Sequence, residues 1–263
     1  DLKGSAIRIL KTNYRNSRLI TRLSNDLLKV KNARFGSIDK ESTYLIDTVS
    51  ETEGEVNFFR DNDKVKKDLN QRTRNSAKYA VLVMDKEDKA RVKQHFDTPL
   101  VFTIQEAKGL EYENIILVNF LSSHEKEFRE ITRGVTGEDL KDENLSFSRA
   151  KDKENKELEA YKFYINSLYV AFTRAVKNLF LIEKKAKQDL LHLLGIVKQQ
   201  EKVKVKQEDS SEEEWLDEAR RLEKQGKYEQ AQEIRARLQG LTYISPEEAE
   251  RLYEEIFSAA EPD

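Results

Sequence analysis

The chain contains no cysteine, which excludes disulfides and thiolate metal sites and predicts a reducing, cytoplasmic setting. Its three histidines are scattered and offer no metal-ligand spacing. No apolar run approaches the roughly 20 residues that a membrane span requires, and no charged-then-apolar leader opens the chain, so no membrane partner is expected. The initial Asp1 reads as the start of an excised fragment.

What is present is a charged chain with enough apolar content for one sizeable core. Its 263 residues are 38% hydrophobic and 37% charged, with a net charge of -2. One main domain plus a small appendage fits that size. The near-neutral total hides an internal split. Residues 201–263 carry 10 Lys and Arg against 18 Asp and Glu, so the tail is acidic and the preceding body mildly basic. A basic body is compatible with phosphate binding.

Short apolar runs alternate with stretches of helical composition along the body. Strands are expected at 7–10, 44–49, 55–59, 79–84, 100–103, 115–120 and 178–182. Most are continuous rather than alternating, the pattern of strands covered on both faces. Residues 17–30 repeat Leu19, Ile20, Leu23, Leu27 and Leu28 at helical spacing behind Ser17, a candidate N-cap. Residues 63–76, 86–96 and 159–176 have helical composition. Strands alternating with helices predict an α/β fold built on a parallel sheet.

Two stretches interrupt this scheme. Residues 122–156 are polar and charge-dense and read as an inserted, mobile excursion or a partner-binding loop. Residues 198–214 alternate charges and read as a linker. Beyond it, Trp215, Ala219, Leu222, Gly226, Tyr228 and Ala231 are spaced as in a helical hairpin. That spacing resembles one tetratricopeptide unit, whose small residues let paired helices approach closely. A further helix after Ser245-Pro246, running through Leu252 and Ile256, is expected to cover the hairpin's exposed face. The hairpin is either a self-packed appendage or a docking site for a protein partner.

Three motifs carry the chemistry. In KTNYRNS (residues 11–17), Tyr14 offers an aromatic face and Arg15 a guanidinium fork suited to phosphate oxygens. In TIQEAKGLEYENIILV, beginning at Thr103, Thr103 and Gln105 can hydrogen-bond a nucleic-acid backbone or base edge, Gly109 permits a tight turn, and Glu111 can accept from ribose hydroxyls. In SLYVAFTRAVKNLFLI, beginning at Ser167, Arg174 near the end of a helix can stabilise charge on a transferring phosphoryl group. Each motif, taken singly, is also compatible with a structural role: a strand-helix junction, a solvated turn, an arginine lying over a packed helix. Their shared strand context predicts one composite site.

Taken jointly, these motifs resemble the fourth, fifth and sixth motifs of superfamily 1 helicases of the UvrD/Rep type, over roughly residues 5–190. The resemblance implies a RecA-like parallel sheet flanked by helices at 1–197, with the insertion at 122–156, the charged linker at 198–214, and a small all-helical hairpin unit at 215–260. It implies that Tyr14 stacks on adenine, Arg15 and Arg174 reach the terminal phosphate, Glu111 binds the ribose beside Gly109, and Thr103 contacts single-stranded DNA. Gln105 stands where the family has His, and Glu106 where it has a small polar residue. No GxxxxGK[ST] phosphate loop occurs, and no strand ends in the paired acids that hold Mg²⁺. ATP and Mg²⁺ would therefore need a preceding N-terminal motor domain, and this stretch alone is expected to be inactive. The family's large helical insertion ahead of the fifth motif is also lacking. The expected activity is that of an ATP-dependent DNA helicase or translocase moving 3′ to 5′. The rivals are an RNA-directed or translocation-only motor, and a helicase-like scaffold acting through its tail.

Overall fold

The computed structural model describes residues 12–36, 45–141, 145 and 156–258. The strand expected at 7–10 and most of the excursion after residue 141 lie outside them. The chain divides into two compact units, Asp1–Arg74 with Lys78–Gln207, and Asn75–Ala77 with Glu208–Asp263.

In the first unit, β1 (Thr12–Asn13) leads into α1 (Arg18–Phe35), followed by β2 (Asp47–Thr48), β3 (Glu55–Arg60), α2 (Asp63–Thr73), β4 (Tyr79–Val83), α3 (Lys86–Lys93), β5 (Val101–Thr103) and β6 (Tyr112–Val118). A 3-10 turn (Ser122–His124) and α4 (Glu125–Thr132) come next, then α5 (Lys156–Thr173), β7 (Ala175–Glu183) and α6 (Asp189–Leu193). β1 pairs with β2, and the main sheet runs β3-β7-β6-β4-β5, parallel throughout. This is the α/β sheet flanked by helices that the apolar runs predict.

The strands are apolar on both faces because both are covered. Phe59, Val81, Val83, Val101, Ile116, Val118, Phe180 and Ile182 share one cluster with Val65 and Leu69 of α2 and Val92 of α3. The alternate residues Phe58, Leu82, Phe102, Leu117 and Leu181 are equally buried and face the opposite side. There α1 packs on β3 and β7, and α5 on β6 and β7.

Two expectations for the first unit need correction. The stretch read as a charged linker begins as part of the body: Gln199 bridges Phe58, and Val203 and Val205 are buried in the sheet's core cluster. Their alternation with Lys202, Lys204 and Lys206 is the period of a half-buried strand, apolar side in and charges out. The excursion read from residue 122 likewise begins as ordered structure. In α4, Phe128 and Ile131 are buried three residues apart on one helical face.

The second unit contains α7 (Glu212–Lys224), α8 (Tyr228–Leu238) and α9 (Pro246–Ser258). Ser211 and Glu214 form a reciprocal capping box that starts α7. Gly226, at φ 73°, turns the chain back into α8. Ala219 and Leu222 bury against Ala231 and Ile234 of the partner helix. Contrary to expectation, Leu252, Tyr253 and Ile256 of α9 are exposed, the last two to 61% and 65%. Among the described residues, no helix is long and apolar enough to cross a membrane.

Candidate nucleotide-cleft and nucleic-acid residues

The turn that follows β1 is built by its asparagines. The Asn13 side-chain oxygen accepts from the Arg15 and Asn16 amides at 2.8 and 3.1 Å, an Asx turn that fixes Tyr14 at its tip. Buried Asn16 donates its side-chain amide to the carbonyls of Thr173 (3.2 Å) and Ala175 (2.6 Å), which flank Arg174. One asparagine thereby staples the first motif to the third.

Ser17, expected as an N-cap, makes no side-chain capping bond. It docks the start of α1 on β7 instead, its amide donating to the Val176 carbonyl (2.8 Å) and its hydroxyl to that of Lys177 (2.9 Å). Those carbonyls lie where the register of β6 and β7 slips by one residue, between the pairs Tyr112/Ala175 and Asn114/Asn178. A bulge leaves ladder groups unpaired and bends its strand, and Ser17 takes up the bulge's carbonyls. Gly54 leaves room for this contact. At φ +79°, a Cβ there would sit 2.1 Å from the Ser17 hydroxyl and 2.4 Å from the Lys177 carbonyl oxygen.

Around this junction three charged side chains converge. Arg15 Nε lies 2.8 Å from Glu111 Oε2. Arg174 donates from Nε to the Val170 carbonyl (3.3 Å) and from Nη1 to the Leu110 carbonyl (3.1 Å), so it caps the end of α5 and grips the residue preceding Glu111. Two of its five N–H donors are thus committed to the scaffold. Burial pushes the Arg174 guanidinium below its ordinary pKa; nearby Glu111 opposes this and Arg15 reinforces it. A partly buried cation beside a second cation is a site prepared for an anion. Tyr14, Arg15, Tyr169, Thr173 and Arg174 line one open cleft of about 560 Å³ together with Asn13 and Asn16. Tyr14 is 78% exposed, its ring free to receive a flat partner.

The residues expected to contact nucleic acid sit elsewhere. Thr103 ends β5 at the level of Val83, at the C-terminal end of the sheet, whereas Glu111 precedes β6 and Arg174 precedes β7 at the N-terminal end. The length of β6, Tyr112–Val118, separates the two levels by about 20 Å. The single composite site expected from sequence is therefore two groups at opposite ends of the sheet, joined by the stretch 104–111. Gly109, in that stretch, holds φ 85°, and a Cβ there would meet nothing within 4 Å, so its backbone conformation alone calls for glycine.

Glu106 organises the far end. The Thr103 amide donates to Glu106 Oε2 (2.7 Å), the Glu106 amide donates to the Thr103 hydroxyl (3.3 Å), and Lys89 Nζ lies 3.0 and 3.1 Å from the two carboxylate oxygens. Burial raises the Glu106 pKa, but the Thr103 amide and Lys89 outweigh it, and the group stays below its ordinary value. Thr103 is buried and held within this turn, while Gln105 is exposed at its tip. Glu106 thus fixes the turn that presents Gln105.

No family model matches the chain. It is 30% identical over 122 residues to the human protein "TPR and ankyrin repeat-containing protein 1", a match covering 41% of this chain and 4% of that protein's length. Among solved structures it is similar to the C-terminal domain of a possible DNA helicase from Lactobacillus plantarum WCFS1, with 15% identity and a TM-score of 0.36 over 69% of this chain and 94% of that one.

Proposed function

We propose that this chain is the second motor domain of an ATP-dependent superfamily 1 DNA helicase or translocase of the UvrD/Rep type. The observation that carries the reading is that Arg15 and Arg174 line one open cleft with the exposed Tyr14, while Glu111 pairs with Arg15 beside it. Two guanidinium groups suit a polyphosphate, an exposed ring suits a base, and a carboxylate beside them suits sugar hydroxyls. In this reading Tyr14 stacks on adenine and Glu111 leaves Arg15 to meet the ribose. Arg15 and Arg174 then approach the terminal phosphate, where Arg174, fixed by two carbonyls, is already positioned for the charge that develops there.

The cleft residues fit a nucleotide but not its metal. Among the described residues no carboxylate lines the cleft, and Glu111 beside it is the group assigned to the ribose. Mg²⁺ and the phosphate cradle would come from an N-terminal motor domain, and ATP would lie between the two. Gln105, beside Thr103 at the other end of the sheet, would meet single-stranded DNA. The stretch 104–111 would relay opening and closure of the cleft to the strand. The helical tail would dock a protein partner, for which its exposed Tyr253 and Ile256 speak.

The test is DNA-stimulated ATP turnover by a protein that includes both motor domains. Arg174→Ala should lower turnover about a thousandfold, the usual contribution of an arginine finger. Unchanged turnover would overturn the motor reading and favour a scaffold working through its tail.

A further inference from the structure

At the C-terminal end of the sheet, Asp85 follows β4, Asp88 lies on the first turn of α3, and His124 closes the 3-10 turn after β6. One ligating atom from each lies within 4.8 Å of the other two. Asp85 caps α3 by accepting from the Asp88 amide at 2.8 Å, which aligns the two carboxyls. The His124 ring lies 4.9 Å from the ring of Tyr164 on α5, tilted 44° to it, a contact that restricts the imidazole.

Two polar atoms of this cluster are buried and unsatisfied. The Asp88 side chain is only 7% exposed. Its Oδ1 accepts from Arg91 and from the Ser123 hydroxyl, but its Oδ2 has no hydrogen-bond partner. His124 Nε2 is equally without one. Asp85 Oδ2 lies 3.5 Å from it, longer than an ordinary hydrogen bond. A buried carboxylate oxygen without a partner is costly, and two orphaned ligating atoms beside a third is the arrangement that a cation resolves.

We propose that Asp85, Asp88 and His124 form a binding site for a first-row divalent cation, with Zn²⁺ as its best representative. Two carboxylates and one imidazole are the donor set such ions take, with water completing the sphere. In tetrahedral coordination, bonds of about 2.1 Å place donors about 3.4 Å apart, so a pair at the 4.8 Å limit would close by about 1.4 Å, a side-chain adjustment. The Ser123 hydroxyl, the Arg91 guanidinium and the α3 amide already orient the carboxylates from behind, the support that ligands of a metal require. The ion would tie the start of α3 to the 3-10 turn. Because Lys89, the next residue on α3, holds Glu106, it would also steady the turn that presents Gln105. Neither segment alone has metal-ligand spacing, since the ligands come from two turns brought together by adjacent parallel strands.

The test is calorimetric titration of Zn²⁺, and separately Mn²⁺ and Mg²⁺, into chelator-treated full chain, with the melting temperature followed alongside. The expected result is saturable uptake of one Zn²⁺ with a rise in melting temperature. His124→Gln and Asp88→Asn, shown folded by circular dichroism, should each weaken binding at least about tenfold, and His95→Gln should not. No saturable uptake by the wild type would overturn the proposal. So would binding that both ligand variants leave intact, because the ion would then sit elsewhere.

Discussion

The fully buried carboxyl at the end of β7 makes the stability of the body depend on pH. Glu183 accepts from the amides of Leu121 (3.0 Å) and Ser122 (2.8 Å). Burial is nonetheless the larger influence and raises its pKa from 4.5 to about 7. The folded chain therefore holds the Glu183 proton more tightly than the unfolded chain does. The resulting stabilisation is fully present below the ordinary value and is lost as pH rises through about 7. A pKa moved that far corresponds to about 3 kcal/mol.

Glu183→Gln cannot titrate and can offer an oxygen to only one of the two amides, at a pH-independent cost of about 1–3 kcal/mol. The stability difference between wild type and variant should thus be largest below about pH 4 and shrink by about 3 kcal/mol towards pH 8, most of it between about pH 5 and 7. Asp61 and Glu106 do not blur this window. For Asp61, burial is outweighed by Asn119 and Lys66, and for Glu106 by Thr103 and Lys89, so both lie below their ordinary values and act at lower pH. Urea unfolding followed by far-ultraviolet circular dichroism is the assay. The sole tryptophan, Trp215, belongs to the helical tail, and its fluorescence would follow the wrong unit. A difference that stays constant from pH 5 to 8 would refute the reasoning.

Two further outcomes test the construction of the cleft. Asn16→Ala strips the hydrogen bonds that flank Arg174 and leaves buried carbonyls unpaired, so it should cost about 1–3 kcal/mol in urea unfolding; in a protein with both motor domains it should also lower ATP turnover while Arg174 itself is intact. Gly54→Ala forces a Cβ against Ser17 and the Lys177 carbonyl at a positive φ, and the body should lose upwards of about 1–3 kcal/mol, measurable as a drop in its melting temperature.

Much of the scaffold was legible because burial on both faces leaves a mark in the chain. Runs such as Val81 to Val83 and Ile115 to Leu117 have no polar residue to alternate, and they became the inner strands. The pattern failed where charge drew attention from period. Val203 and Val205 were hidden among lysines, although their alternation is a strand signal. The grouping of Arg15, Glu111 and Arg174 followed from the motifs, but one composite site did not. A residue ending one parallel strand and a residue opening the next must lie at opposite ends of the sheet, so the separation of Thr103 from Glu111 was deducible. The role of Asn16 was not, since its carbonyl partners lie far along the chain and no local pattern announces them. The pairing of Asp88 with His124 is hidden for the same reason.

The strand order also governs how the chain can be made. β3, near the start, has β7 as its neighbour in the sheet, and β7 is the last of the five to leave the ribosome. Until residues 175–183 emerge, β4, β5 and β6 can assemble, but β3 waits with an open edge and its Phe58 and Phe59 uncovered. Such an edge invites pairing with another nascent chain. Any product truncated before Ala175 would therefore be expected to aggregate, and chaperone demand should peak during synthesis of the segment between these two strands.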